Sequence, residues 1–584
     1  MFRPLASLLI LVSLCPPLSG MKARLRASLE SPIPIGTKIS LVAEDPGDGT
    51  YWHRFRVRPP GGEFTLIRDF GPDPLLNWSP MGREGTYEIE LTSRNVDTGE
   101  SEFTSQFVDT TSLAVGDTGG IAPTTHPLVF VYSAPSCDAG LWVRVEFQSG
   151  RGVQSTPSVP CDPGFSRSFY LAGLYQNTDY TARHVVEGDA SQLFGDSIPF
   201  RSGAAEGVLY PASVLQPASF SNSNRILLGN GNGAPTATDL NGEIVWYVSG
   251  IPFITRVDQN GYFWTVVDPN QGPAFSVLRK INLVGDTVLE TNAGRLNEQL
   301  RALNRREITG FHHEALTLPD GRVAVLAGVE QVLSGVQGDG PVNILGDMIL
   351  VLDSDLNVVW TWDTFDHLDV RRAARFNETC RTAMSGCPPF YLTAEANDWT
   401  HGNSIQPTPD GQLLYSTRHQ DWLVKIDYSG GLGDGHVIWR LGRDGDFYIV
   451  SNTPDPYPWF SHQHDGNFDP ADPTSLLVFD NGNSRIIETG FGNSRGQVLK
   501  LDEENRIATL LLNADLGVYA AAVGSAQRLA NGNYFFDAGF VAGVNNAPNS
   551  FFFEVDPSGQ IVYNATIQNL AYRAFRMTDI YNPN

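Results

Sequence analysis

From about residue 207 onward the chain repeats one hydrophobic pattern. An apolar run ends in Asp or Asn, a turn follows, and a second apolar run often ends in Trp. Six copies align: Asp239 with Trp246, Asn282 with Leu289, Asp353 with Trp360, Asp427 with Trp439, Asp502 with Leu510, and Asp556 with Tyr563. Each copy has another apolar run upstream, several after a Gly turn such as Pro319-Asp320-Gly321 or Pro409-Asp410-Gly411. One further strand before that turn makes each unit a four-stranded meander, which is the blade of a β-propeller. The expectation is a six-bladed β-propeller over residues 207–584. A solenoid is the competing arrangement, and the steady order and spacing of the copies favour the propeller.

The first part of the chain alternates with period two between Gly/Pro turns, the mark of half-buried strands. Runs at 38–43, 52–57 and 86–92 predict an immunoglobulin-like β-sandwich over 21–115. Runs at 128–132, 141–147 and 179–186 predict a second, fibronectin III-like sandwich over 125–203. His184 falls in a strand pattern and reads as structural. The fold class expected is therefore all-β, a propeller preceded by two small sandwiches.

Residues 1–20 read as a secretory signal: Arg3, an apolar run at 5–14, then small residues. The run is too short to span a membrane, so a secreted or periplasmic protein is expected. Cys15 does not fit a lipid anchor, because Leu14 before it is not small. The remaining cysteines fall into two close pairs, Cys137 with Cys161 and Cys380 with Cys387, and in an exported chain these read as disulfides.

A net charge of −24 would repel nucleic acid and anionic membranes. A small anionic ligand remains compatible, since a few buried Arg and His residues reverse the field locally. Matching positions at the entry of the first strand of each unit are His312 and His313, then His401, then His464, then Ser525, and Arg418 ends the second strand of the fourth unit. Three histidines could hold a divalent metal, but a guanidinium among them suits a small tetrahedral oxyanion better. Imidazole is a competent nucleophile toward such a centre. Long connections around 363–397 and 443–460 carry Phe390, Tyr391, Tyr448, Tyr457, Trp459 and Phe460, which could stack an aryl ring or merely pack the loops.

As a set, Asp398-Trp399-x-His401-x-Asn403, Ser416-Thr417-Arg418-His419-Gln420, Ile438-Trp439-Arg440-Leu441-Gly442, and Gln463-His464 with Phe479-Asp480-Asn481-Gly482 and Arg485 resemble the bacterial aryl-sulfate sulfotransferases. That family consists of exported propellers that move a sulfuryl group from one phenol to another without a nucleotide sulfate donor. The resemblance implies that His464 is transiently sulfated, and that His401, Asn403, Arg418 and one of His312 or His313 hold the sulfuryl oxygens or handle the phenolic proton. The repeat alignment favours His312 as catalytic, with Asn403, His313 and Ser525 as substrate contacts. The expected partners are an aryl sulfate donor and a phenolic acceptor, with no cofactor, no metal, no nucleic acid and an open oligomeric state. The competing readings are an exported propeller hydrolase or lyase with a His-bound metal, and a silent propeller that binds a partner.

Overall fold

The computed structural model describes residues 22–583, apart from 190, 219–223, 232, 383, 452–454 and 544–546. The leader and Cys15 lie outside the described residues. Strands make up 51% of the chain and helix 6%, so the all-β class holds.

The first sheets alternate as their sequence does. Strand Ile39–Glu44 buries every second residue and pairs with Arg24–Ala27 and Leu75–Trp78, covering a larger sheet that includes Tyr51–Arg58 and Gly85–Asn95. Leu41, Phe55, Leu76 and Ile89 are fully buried between them. The next sheets pack Phe130–Ala134 and Arg167–Leu171 over Trp142–Ser149 and Asp179–Gly188. Here His184 is a core residue, its Nδ1 3.0 Å from the Tyr132 hydroxyl. The disulfide Cys137–Cys161 closes one of the loops.

Six four-stranded antiparallel meanders follow among the described residues. Their first strands are Ile254–Asp258, Phe311–Thr317, Gly402–Pro407, His464–Asp469, Ser525–Arg528 and, for the sheet begun by Ile226–Gly231, the late strand Ala571–Met577. That last strand pairs with Ile226–Gly231 across the whole length of the repeat. Each first strand packs on the next, and Arg573 of Ala571–Met577 donates to the Thr255 carbonyl of Ile254–Asp258 at 2.7 Å.

The repeated residues each have a local task. Asp239, Asn282, Asp353 and Asp556 accept backbone N–H groups two and four residues on, at 2.8 to 3.1 Å, closing the hairpin by a side-chain turn. Trp246 and Trp360 reach across to the following sheet, donating to the carbonyls of Leu283 and Gly433 at 2.9 and 3.1 Å. Apolar clusters consequently lie between consecutive sheets, as with Val351, Trp362, Ile405 and Tyr415.

The N-terminal sandwich is not a loose appendage. Its strand Thr65–Gly71 pairs in parallel with Thr287–Asn292, so one sheet of nine strands runs through both parts. The pair Arg68–Glu290, at 2.6 Å and nearly buried, fixes that junction.

Candidate functional site

The first strands open with irregular backbone. The ladder slips between Phe311 and Ala315, between Gly402 and Ser404, and between His464 and Asn467. His313, His401, His462 and Asp465 hold positive φ of 56°, 48°, 49° and 53°, the left-handed region that non-glycine residues rarely adopt. Bulges of this kind re-aim side chains, and strained backbone concentrates at sites. Here they turn histidines from three neighbouring sheets into one cavity of about 390 Å³, lined by His313, His401, Arg418, His419, His464, Glu378 and Tyr572.

His464 is buried, and its Nδ1 lies 2.7 Å from Asn481 Oδ1. The Asn481 amide nitrogen donates to two carbonyls, Ala520 at 2.8 Å and Val523 at 3.0 Å. Its oxygen therefore faces the imidazole and must accept, so Nδ1 carries the proton and the lone pair is on Nε2. Burial, then Arg418, hold the imidazole well below its ordinary pKa against the opposing bond from Asn481, and His401 and Arg573 add to the depression. His464 is neutral at neutral pH.

Arg418 has no carboxylate within ion-pair distance among the described residues, and its Nε is buried without a partner. Its guanidinium donates to His419 Nε2, whose Nδ1 is 2.6 Å from the Asp398 carbonyl oxygen. Burial, His401 and Arg418 depress the pKa of His419 strongly. Glu378 and Asp398 also line the cavity, but neither forms an ion pair with Arg418, and a guanidinium left in that way is suited to a ligand that brings an anion.

His401 Nδ1 sits 2.6 Å from Asp398 Oδ2, and its ring is 5.0 Å from that of His313. His313 is the member of its pair that lines this cavity, whereas His312 is drawn away, its Nε2 3.0 Å from Asp347 Oδ1. The repeat alignment favours His312, and of the two it is His313, with its left-handed backbone, whose side chain lines this cavity, while both line the chamber beside it. Asn403 does not line the cavity either. Its Nδ2 donates to the Gln463 carbonyl at 2.7 Å, bracing the residue before His464. Ser525 is fully buried and spends its hydroxyl on the Ala574 carbonyl at 2.9 Å, so it is absent from the cluster.

Further side chains emerge that the sequence reading did not single out. His462 stands between two carboxylates, Nδ1 2.8 Å from Asp421 Oδ1 and Nε2 2.7 Å from Glu378 Oε1. Burial raises the pKa of Glu378 and of Asp421, but the bond and charge of His462 outweigh it, and both are held below the usual carboxylate range. Tyr572, from the last strand, has its hydroxyl buried without a partner, and its ring is 6.3 Å from His464 and 5.3 Å from His313.

Past His313 and Tyr572 lies a second chamber of about 300 Å³, whose walls include Phe253, Val266, Phe311, Pro389 and Tyr572. The two spaces share His313, Gly386, Cys387, Leu570 and Tyr572, so the disulfide Cys380–Cys387 borders both. None of the six loop aromatics singled out from the sequence lines either space. Tyr457, Trp459 and Phe460 border a separate hollow, and Phe390 is buried with Cys380.

Two residue groups could approach one metal ion here, Glu378 with His419 and His462, and Asp398 with His401 and His419. His419 belongs to both, and its nitrogens are taken by Asp398 and Arg418, which leaves it no lone pair for a metal.

A family model described as Arylsulfotransferase (ASST) matches residues 212–576, well over half of the chain. No curated protein matches. Among solved structures, a two-domain fibronectin type-III segment of chicken tenascin is 16% identical, covering 31% of this chain and 98% of its own at a TM-score of 0.15. The FN1–FN3 domains of chicken CNTN1 are 10% identical over 55% of this chain and 97% of theirs, TM-score 0.12. The purple acid phosphatase PPD1 of yellow lupin (Lupinus luteus) is 11% identical over 34% of this chain and 44% of its own, TM-score 0.16. Likeness that slight carries no argument about fold or chemistry.

Proposed function

The chain belongs to the arylsulfotransferase family and is a sulfotransferase, and on that footing we propose that it moves a sulfuryl group from a phenolic sulfate ester to a phenol in two steps through a sulfated His464. The observation that carries this reading is the fixed proton of His464: Asn481 holds it on Nδ1, and the free lone pair shares its cavity with the unpaired cation Arg418. Nε2 attacks sulfur, the S–O(aryl) bond breaks, and its electron pair leaves on the phenolate oxygen. Arg418 and the buried Tyr572 hydroxyl bind the sulfuryl oxygens, where charge is spread in a loose transition state. His401, oriented by Asp398, supplies the proton to the phenolate and takes one from the acceptor phenol, so acid and base exchange roles between the half-reactions. The aromatic chamber past His313 receives the aryl ring.

The same reading treats the six meanders as the blades of a six-bladed propeller over residues 207–584, closed by Ala571–Met577, with sandwiches over 21–115 and 125–203 in front. It includes export on a signal at residues 1–20. The occupied nitrogens of His419 weigh against a metal-dependent hydrolase.

The test is to incubate the purified protein with p-nitrophenyl sulfate, with and without phenol, and to search by intact and peptide mass for a sulfuryl adduct. Phenol-dependent turnover with the adduct on His464, both lost in His464→Ala, is the expected result. Turnover without any adduct on histidine overturns the covalent step, and no turnover over a panel of donors from folded protein overturns the transfer reading.

A further inference from the structure

We propose that the chamber past His313 selects phenolic amines, with Asp268 as the counter-ion for an ammonium group at the end of the molecule away from the reacting oxygen. The inference rests on the transfer reading above and adds a substrate class to it.

Much of the chamber wall is apolar, from Phe253, Val266, Phe311, Pro389 and the ring of Tyr572, with Asn270, His312 and His313 as its other polar side chains. Asp268 is the one carboxylate among its described lining residues. A ring held by apolar walls needs no charge beside it, and a half-buried carboxylate among them is costly unless something answers it. One neutral donor serves it, the Asn270 N–H on Oδ1 at 2.7 Å; its Oδ2 is buried without a partner, with Ser276 a favourable influence nearby. No Lys or Arg among the described residues lies within ion-pair distance of it. His312 adds a favourable field but keeps its nitrogens on Asp347 and His313, at 3.0 and 2.8 Å.

The charge is felt by its neighbours. Burial raises the carboxyl of Asp268 above its ordinary range, against the help of Ser276, Asn270 and His312. The phenol of Tyr391 is pushed up to about 12, by burial first and by Asp268 next. An ammonium brought by a ligand would relieve both effects. His313, which also lines the chamber, does not repel it, since burial first and then His312 and His401 hold its imidazole well below the ordinary pKa. The aromatic walls add cation–π attraction. The whole chain, at −24, attracts small cations as well.

The test compares tyramine with its neutral isostere tyrosol, by calorimetric binding to the full chain, in the wild type and in Asp268→Asn. Wild type is expected to bind tyramine about tenfold more tightly, with the ratio falling to about one in the variant. Tyramine binding no better than tyrosol overturns the proposal, and so does an unchanged ratio in a variant whose thermal unfolding is native-like. Should Asp268→Asn fail to fold, Asp268→Ser serves, and high salt must shrink the wild-type preference in either case. Sulfuryl transfer to p-cresol, measured in parallel, separates the two readings. Transfer without tyramine preference overturns only the role of Asp268, and preference without transfer overturns only the reaction.

Discussion

At the scale of single residues, the chemistry turns on where one proton sits. Asn481 Oδ1 can only accept from His464, and a carboxylate there would accept more strongly and favour the imidazolium. Asn481→Asp is therefore expected to keep transfer and move the acid limb of the pH–rate profile to higher pH, whereas Asn481→Ala loses the tautomer and lowers kcat on the order of a hundredfold. An unmoved acid limb in Asn481→Asp would show that another group sets it. In the wild type, His464 titrates well below the ordinary 6.5, so activity should persist as pH falls past that value. His464 could be singled out from sequence because its position in the repeat is a local signal. It could not choose between His312 and His313, since adjacent residues in a strand face opposite ways and only the left-handed backbone at His313 decides. Ser525 matched the same register, yet its hydroxyl is consumed by a neighbouring strand that no local pattern reveals.

At the scale of elements, the segment carrying Glu378 borders the cavity that holds Arg418. Glu378 lines the cavity and is the strongest anionic influence on Arg418, but His462 holds it 2.7 Å away on the other side. Removing His462 frees that carboxylate to compete with the substrate for the guanidinium. His462→Ala should raise the KM for the donor by about tenfold, equivalent to about 1.4 kcal/mol, with kcat changed less. Adding Glu378→Gln should restore much of the loss, because the amide cannot compete as a charge. A double variant no better than His462→Ala would mean that His462 acts through packing alone, on Phe376 for example, whose ring stacks on it at 4.8 Å. The hairpins themselves were readable, since an Asp that binds the N–H two and four residues on is a local device. The second chamber was not, because Phe253, Phe311 and Tyr572 are far apart in sequence and meet only in the folded chain.

At the scale of the whole molecule, histidine burial ties folding to pH. His53, His126, His184, His313, His367, His419 and His464 all have pKa values below 6.5, and burial is the first cause in each. Between those depressed values and 6.5 the unfolded chain binds more protons than the folded one, so stability falls as pH falls through that window. Denaturant unfolding at pH 7.5 and 5.5 should give a clearly lower midpoint at 5.5. Equal midpoints would mean that acid groups elsewhere compensate. The strand Ala571–Met577 has a related consequence. It completes the sheet opened by Ile226–Gly231 and brings Tyr572 and Arg573 to the centre. A ribosome that has made every histidine of the cluster has still not made the strand that sets Tyr572 beside them, so fragments ending before residue 571 are expected to give no sulfuryl transfer from p-nitrophenyl sulfate.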